Sequence, residues 1–247
     1  MSPVLSESGF TSEVIPVRHF FGTRQASEGL DLPIQLGVIT TGPPSFPLIA
    51  SLKQIHSTQV LVFDSPVNAG VMSQGEGDAL LTNQSQLLLV VRTADCVPVL
   101  LIDHETGVIG AIHAGWRGAV GGIVPKTIQT CVEHFGSHVS QLHVAIGPSI
   151  GPCCYEVDAQ VLEPLQTCYP AWLGVLQKTT PGKGMLNLRK LIWHQVLASG
   201  ILEQQVEEIE QCTHCRDDLF FSYRREGTVN ETMLSGIMLP EGNYSGG

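Results

Sequence analysis

The sequence predicts an α/β (α+β) mixed-sheet fold with antiparallel hairpins, and three observations carry that prediction. Apolar runs bounded by Gly, Pro, Asn and Asp outnumber amphipathic helical segments. Several of these runs are β-branched and apolar on both faces, as strands covered on two sides are. Two of them are joined by only four residues, "HETG" (104 to 107), which is a hairpin signal. Strict strand–helix alternation is missing, which argues against a doubly wound Rossmann fold.

Taken in order, "QLGVIT" (35 to 40), "QVLVFD" (59 to 64) and "DALLT" (78 to 82) read as short strands. "QLLLVV" (86 to 91), "VPVLLID" (97 to 103) and "GVIGAIH" (107 to 113) read as buried ones. In the hairpin made by the last two, the start of one strand lies beside the end of the next, so Cys96 and His113 should meet at one edge. "GAVGGIVPKTIQTCVEHFG" then repeats Ile123, Ile128, Val132 and Phe135 at helical spacing, with Pro125 near the first turn and a stop at Gly136. "LHVAIG" (142 to 147) is a further buried strand, and 158–169 and 187–200 are helices, the second capped by Asn187 and ended by Gly200. "VEEIEQC" alternates as a half-exposed strand, and "DLFFSYRR" and "TMLSGIMLP" read as final strands.

Residues 1–247 read as one domain with a flexible N-terminus at 1–15, because the only linker-like stretch, "TTGPPSFP" (40 to 47), is too short to separate two. No run approaches about 18 apolar residues, so no membrane span is expected, and the N-terminus has no export or organelle pattern, so a cytoplasmic protein is. The net charge of −10, with 13 basic residues in no stripe, argues against nucleic acid as a partner. Two or three local Arg side chains could still hold a small phosphate-bearing ligand. Seven cysteines in a reducing compartment read as free thiols rather than a disulfide scaffold. A monomer or a homodimer fits equally.

Three segments place a metal-capable side chain at a strand border: "LKQIHSTQV" with His56, "RTADCVPV" with Cys96 and "AIHAGWRG" with His113. Two imidazoles and a thiolate suit Zn²⁺, and three protein ligands leave a fourth position for water or substrate, the pattern of a catalytic site. Gly115 permits close approach, Asp95 could steady a ligand, and Arg117 brings a charge suited to an anion. Trp116 could stack on a purine base or simply pack.

The phrases "KQIHSTQV", "GDALLT", "RTADCVPVLL", "AIHAGWRG", "IGPSIGPCCYEV" and "FFSYRR" occur in this order from about residue 20 to 240. That series resembles the YfiH/laccase-domain family. The resemblance implies a layered mixed-sheet sandwich and zinc held by His56, Cys96 and His113. It also implies phosphorolysis of inosine, guanosine, adenosine and methylthioadenosine, with deamination of adenosine. Multicopper chemistry does not follow, since that needs on the order of ten imidazoles, mostly in His-x-His pairs. This chain has nine His and no such pair, which leaves copper possible only as an adventitious ion at the thiolate.

For deamination, zinc would lower the pKa of a bound water to about 7 and a carboxylate, Asp95 or Glu156, would move the proton. For phosphorolysis, Arg24, Arg92 and Arg117 are the candidates to hold phosphate, with Arg24, Arg117 and Asp95 as the catalytic set. Arg24 matches the family's "STRxGGxS" segment, although Ala-Ser-Glu-Gly follows here, and "SYRREGTVNETMLSG" lacks the Arg that relatives carry after Thr-Gly, with Glu231 nearby. Weaker phosphorolysis would result.

Cys153 and Cys154 are adjacent, which predicts one thiol toward the core and one toward the pocket rather than a shared metal, and "CTHC" (212 to 215) has no evident second pair. His134 and His138 read as a solvated helix end, and Trp172 and Trp193 as packing residues. Two other readings use the same residues: a metal-free thiol amidohydrolase with Cys96 as nucleophile and His113 as base, or a non-catalytic metal-binding protein.

Overall fold

The computed structural model describes residues 4–6, 9–27, 48–65, 75–228 and 231–241, so the expected strand at 35–40 and the segment 40–47 lie outside the described residues. One six-stranded sheet has the order β1 (Val4–Ser6), β2 (Gly9–Thr11), β3 (Arg18–Phe21), β15 (Met233–Met238), β7 (Leu87–Thr93), β4 (Leu48–Ala50). The second has the order β14 (Val206–Glu208), β10 (Leu142–Ile146), β8 (Val97–Asp103), β9 (Val108–Ala114), β6 (Ala79–Thr82), β5 (Val60–Phe63). A three-stranded ribbon, β11 (Glu156–Val157), β13 (Gly184–Leu186) and β12 (Leu176–Lys178), completes the strands. Both large sheets mix directions: β4 with β7, β5 with β6 and β10 with β14 are parallel, and the other pairs are antiparallel.

Side-chain alternation sorts β8 between two cores. Val97, Val99 and Leu101 join Ile123, Ile128, Leu165, Leu191 and Val196 on the helical side. Leu100 and Ile102 join Phe21, Val91 and Ile237 of the first sheet. Each such fully buried aliphatic contributes roughly 1.5 to 3 kcal/mol. The layers therefore run sheet, sheet, helices, with β8 and β9 in the middle and apolar on both faces.

The helices are short α1 (Arg24–Ser27), α2 (Trp116–Val120), α3 (Ile123–Phe135), α4 (Ala159–Cys168), α5 (Leu188–Ala198) and α6 (Tyr223–Glu226). Pro125 occupies the first turn of α3, where its missing N–H costs nothing, and Gly136 ends the helix at φ 72°, in the left-handed region. Asn187 caps α5 by accepting from the amide of Lys190.

The structure departs from the sequence reading in two places. "DLFFSYRR" is not a strand: Ser222 accepts from the amide of Arg225 and starts α6 instead. "VEEIEQC" pairs as a strand only over Val206–Glu208. Val4–Ser6 and Gly9–Thr11, at the start of the chain, pair with each other in the first sheet.

Candidate metal centre and its cavity

The β8–β9 register pairs Val97 with Ala114 and Pro98 with His113, so Cys96, one residue earlier, faces the end of β9. His56 arrives from the segment before β5. The rings of His56 and His113 meet edge-on with centroids 4.8 Å apart, and Cys96 Sγ lies 3.8 Å from His56 Nε2. One ligand atom from each of these three residues lies within 4.8 Å of the others.

Asp78 at the head of β6 organises the trio. Its Oδ1 accepts from the amide of His56 (3.0 Å) and lies 2.8 Å from His113 Nδ1, while Oδ2 accepts from the amide (2.6 Å) and hydroxyl (2.7 Å) of Ser57. The Asp78 carbonyl also accepts from the amide of His113 at 2.7 Å. Asp78 is fully buried, which alone would raise its carboxyl, but the bonds from His113 and Ser57 hold it at about 2. The anion keeps Nδ1 of His113 protonated and leaves Nε2 as the ring nitrogen for a metal.

Burial likewise acts to raise the Cys96 thiol, but the positive charge of His113 and hydrogen bonds from His113 and His56 bring it well below the ordinary thiol range. For His113, burial lowers the imidazole, and the Cys96 and Asp78 charges reverse that and raise it. Without a metal, each of Cys96 and His113 favours the charged form of the other.

The backbone is bent to suit. His56 has φ 58° and Asp95, just before the ligand Cys96, has φ 88°. At Gly115 the φ of −71° would suit any residue, but a Cβ would sit 2.8 Å from His56 Cδ2 and 3.0 Å from Cys96 Sγ. The glycine leaves room between the ligands. The donor set and this cradle fit zinc, and the chain's nine imidazoles with no His-x-His pair do not fit a multicopper set.

A cavity of about 560 Å³ opens above His56 and Cys96, within the range of small-molecule sites. Arg117 and Trp116 line it, with the Arg117 guanidinium 4.4 Å from the Trp116 ring centre. Arg24 and Arg92 do not line it: Arg24 Nη1 donates to the carbonyl of Asp217 and its guanidinium covers Phe221, and Arg92 sits on β7, its backbone paired with Gln54. Arg224, unassigned from the sequence, lines the cavity in their place and donates from Nη1 to the carbonyl of Glu156 at 3.0 Å. Tyr155 lines it too, its phenol raised first by burial and next by the Cys96 charge.

Asp95 and Glu156 also line the cavity, with their carboxylates already engaged. Asp95 accepts from the Thr213 hydroxyl (2.6 Å), the Ser222 hydroxyl (3.0 Å) and the amide of Arg224 (2.7 Å). Glu156 accepts from Lys183 Nζ at 3.2 Å and the Thr179 hydroxyl at 3.3 Å.

The profile of the family described as "Multi-copper polyphenol oxidoreductase laccase" matches residues 41–240. The chain belongs to this family. A relative named purine nucleoside phosphorylase YlmD, from Geobacillus stearothermophilus, is 37% identical over 165 residues, covering 65% of this chain and 59% of the relative, so the chain spans about three-fifths of that protein. Another family relative, named adenosine deaminase RL5, from an unidentified prokaryote, is 31% identical over 214 residues, covering 84% of this chain and 79% of the relative. The crystal structure of the Bacillus licheniformis hypothetical protein YfiH superposes with a TM-score of 0.73 at 28% identity, covering 77% of this chain and 74% of that one. The family's fold is thus the mixed-sheet one described above, and no helix among the described residues is long and apolar enough to cross a membrane.

Proposed function

We propose that this chain is a zinc-dependent purine nucleoside phosphorylase, acting on inosine, guanosine, adenosine or methylthioadenosine with phosphate. The observation that carries the reading is a nucleoside-sized cavity with His56 and Cys96 at its base, His113 buried beside them, and two arginines, Arg117 and Arg224, on its walls. The names of family relatives supply the substrate class.

His56, Cys96 and His113 would hold the zinc, which when bound supplies a Lewis acid at the cavity base. Arg117 and Arg224 bind and orient phosphate, a local cationic pair within a chain of net charge −10. Trp116 presents an aromatic face to a base. Tyr155 keeps its Oη proton at neutral pH and can donate it in a hydrogen bond. Asp95 orients: two of its bonds tie the Cys96 backbone to α6 and its cap and the third to Thr213, which leaves it poorly placed to shuttle protons.

A second reading, adenosine deamination in the same cavity, is favoured by the relative RL5. It needs a mobile carboxylate: Asp95 is committed elsewhere, and the exposed Glu156, held at 3.2 and 3.3 Å by Lys183 and Thr179, is the candidate, while the two cavity arginines make phosphorolysis the main activity proposed.

The test is chromatographic. Inosine with phosphate should give hypoxanthine and ribose 1-phosphate, with no product when phosphate is omitted and none from Cys96→Ala. Base release without phosphate, or turnover that survives chelation and stops on alkylation of Cys96, would replace this reading with hydrolysis or thiol chemistry.

A further inference from the structure

Four thiols lie together away from the trio just described. Cys153 and Cys154 come from the turn between β10 and β11, and Cys212 and Cys215 from the turn after β14. One sulfur from each lies within 4.8 Å of the other three, with Cys153 Sγ 3.6 Å and Cys154 Sγ 3.3 Å from Cys215 Sγ. All four are free thiols. We propose that these residues form a second metal site, a four-thiolate zinc centre that is structural and clasps the two turns together.

The geometry is that of a tetrahedral set. Zinc–sulfur bonds of about 2.3 Å place sulfurs about 3.8 Å apart along each edge, so small movements from the observed spacing suffice. Adjacent cysteines share one ion only where the backbone curls tightly. The turn does so: the amides of Cys154 and Tyr155 both donate to the carbonyl of Gly151, at 3.0 and 3.1 Å, and the tight curl brings both thiols to Cys215. The missing second pair for Cys212 and Cys215 is therefore Cys153 and Cys154, about 60 residues earlier in the chain.

The surroundings supply donors and a cation beside Cys212. The amide of Gly151 donates to Cys212 Sγ at 3.2 Å, and a Cβ at Gly151 would meet both Cys153 Sγ and Cys212 Cβ at 3.2 Å. Arg225 Nη1 donates to the carbonyls of Thr213 and His214, both at 3.0 Å, which brings a cation to the second turn. The turns are already aligned by a short bridge: Ser149 N–H to the Gln211 carbonyl and Thr213 N–H to the Ser149 carbonyl. Binding exchanges the thiol protons, released to solvent, for one Zn²⁺. Four thiolates close the coordination sphere, which makes the site structural, in contrast to the three-ligand site.

The inference stands apart from the proposed phosphorolysis, because it is read by counting metal. Elemental analysis of the full chain should give two zinc ions per chain. Cys153→Ser/Cys215→Ser should lose one and Cys96→Ala the other, and Cys168→Ser should retain both. On the wild-type protein, where folding of a variant is not at issue, chelation should expose four additional thiols to a thiol reagent beyond those freed at Cys96. Cobalt loading should give intense thiolate-to-metal absorption that the double variant lacks. A single zinc lost with Cys96→Ala, equal thiol reactivity with and without chelator, or thiols that appear only after a reductant would each overturn the proposal.

Discussion

Asp78 Oδ1 lies 2.8 Å from His113 Nδ1, with both side chains buried, and the same carboxylate holds the backbone at His56. One acidic residue thereby positions two of the three metal-capable side chains. Replacing it by Asn offers an amide where only acceptors fit, so Asp78→Asn should weaken zinc binding roughly 10- to 100-fold. Competition with a chromophoric chelator measures this. Unchanged affinity would mean that His113 is oriented by packing alone.

The Cys96–His113 pair predicts reactivity in the zinc-free protein. With its thiol well below the ordinary range, Cys96 is already thiolate at pH 7, so alkylation by iodoacetamide should change little between pH 8 and pH 7. An ordinary thiol, with a pKa of about 8.5, loses most of its rate over that interval. Cys131, raised by burial to about 12, should stay unlabelled, and zinc should protect Cys96. Peptide mapping separates the two sites. A Cys96 rate that falls tenfold over that unit would refute the ion pair.

Gly115→Ala tests the cradle. A new Cβ would press on His56 Cδ2 and Cys96 Sγ, so zinc affinity and turnover should both fall, and the zinc-free protein should lose about 1 to 3 kcal/mol of stability because the same contact exists without metal. Titration calorimetry and urea unfolding report the two quantities separately.

Arg117→Ala and Arg224→Ala should each raise the KM for phosphate roughly 10- to 100-fold, the loss of one charge-assisted contact. The KM for inosine should move less. Initial rates at varied phosphate decide it, and equal increases for both substrates would place the arginines elsewhere in the reaction.

Away from the cavity, Arg189 is buried and donates to Glu208 at 2.6 Å and to the carbonyls of Ser149 and Gln211 at 3.1 and 3.0 Å. Arg189→Ala strands these acceptors and should cost about 3 kcal/mol, or roughly 10 °C in Tm. Differential scanning fluorimetry measures it. A shift under 2 °C would show that water replaces the guanidinium.

The central hairpin was legible because its signals are local: two apolar runs and a four-residue turn bring Cys96 beside the end of β9, as the pairing of Pro98 with His113 shows. Nothing in the phrase "GDALLT" assigns Asp78 a role, and its only sequence signal is an acidic residue heading an apolar strand, which has to find partners once buried. Arg224 was missed because "FFSYRR" has strand composition; the clue was Ser222, a good N-cap four residues before Glu226. Arg24 and Arg92 carry charge but lie outside the cavity lining, because charge in a sequence does not say which wall of a fold it reaches. The four-thiol cluster depends on a turn that curls adjacent cysteines to the same side, which no spacing rule reports.

Asp95 reaches residues 118, 127 and 129 positions further along the chain. On a ribosome adding about 5 to 20 residues each second, His56, Cys96 and His113 emerge many seconds before Thr213, Ser222 and Arg224. A nascent polypeptide therefore displays its cysteine and imidazoles while one side of the pocket is still unsynthesised. Chains that stall in that interval carry the metal-capable trio without the cavity that directs it.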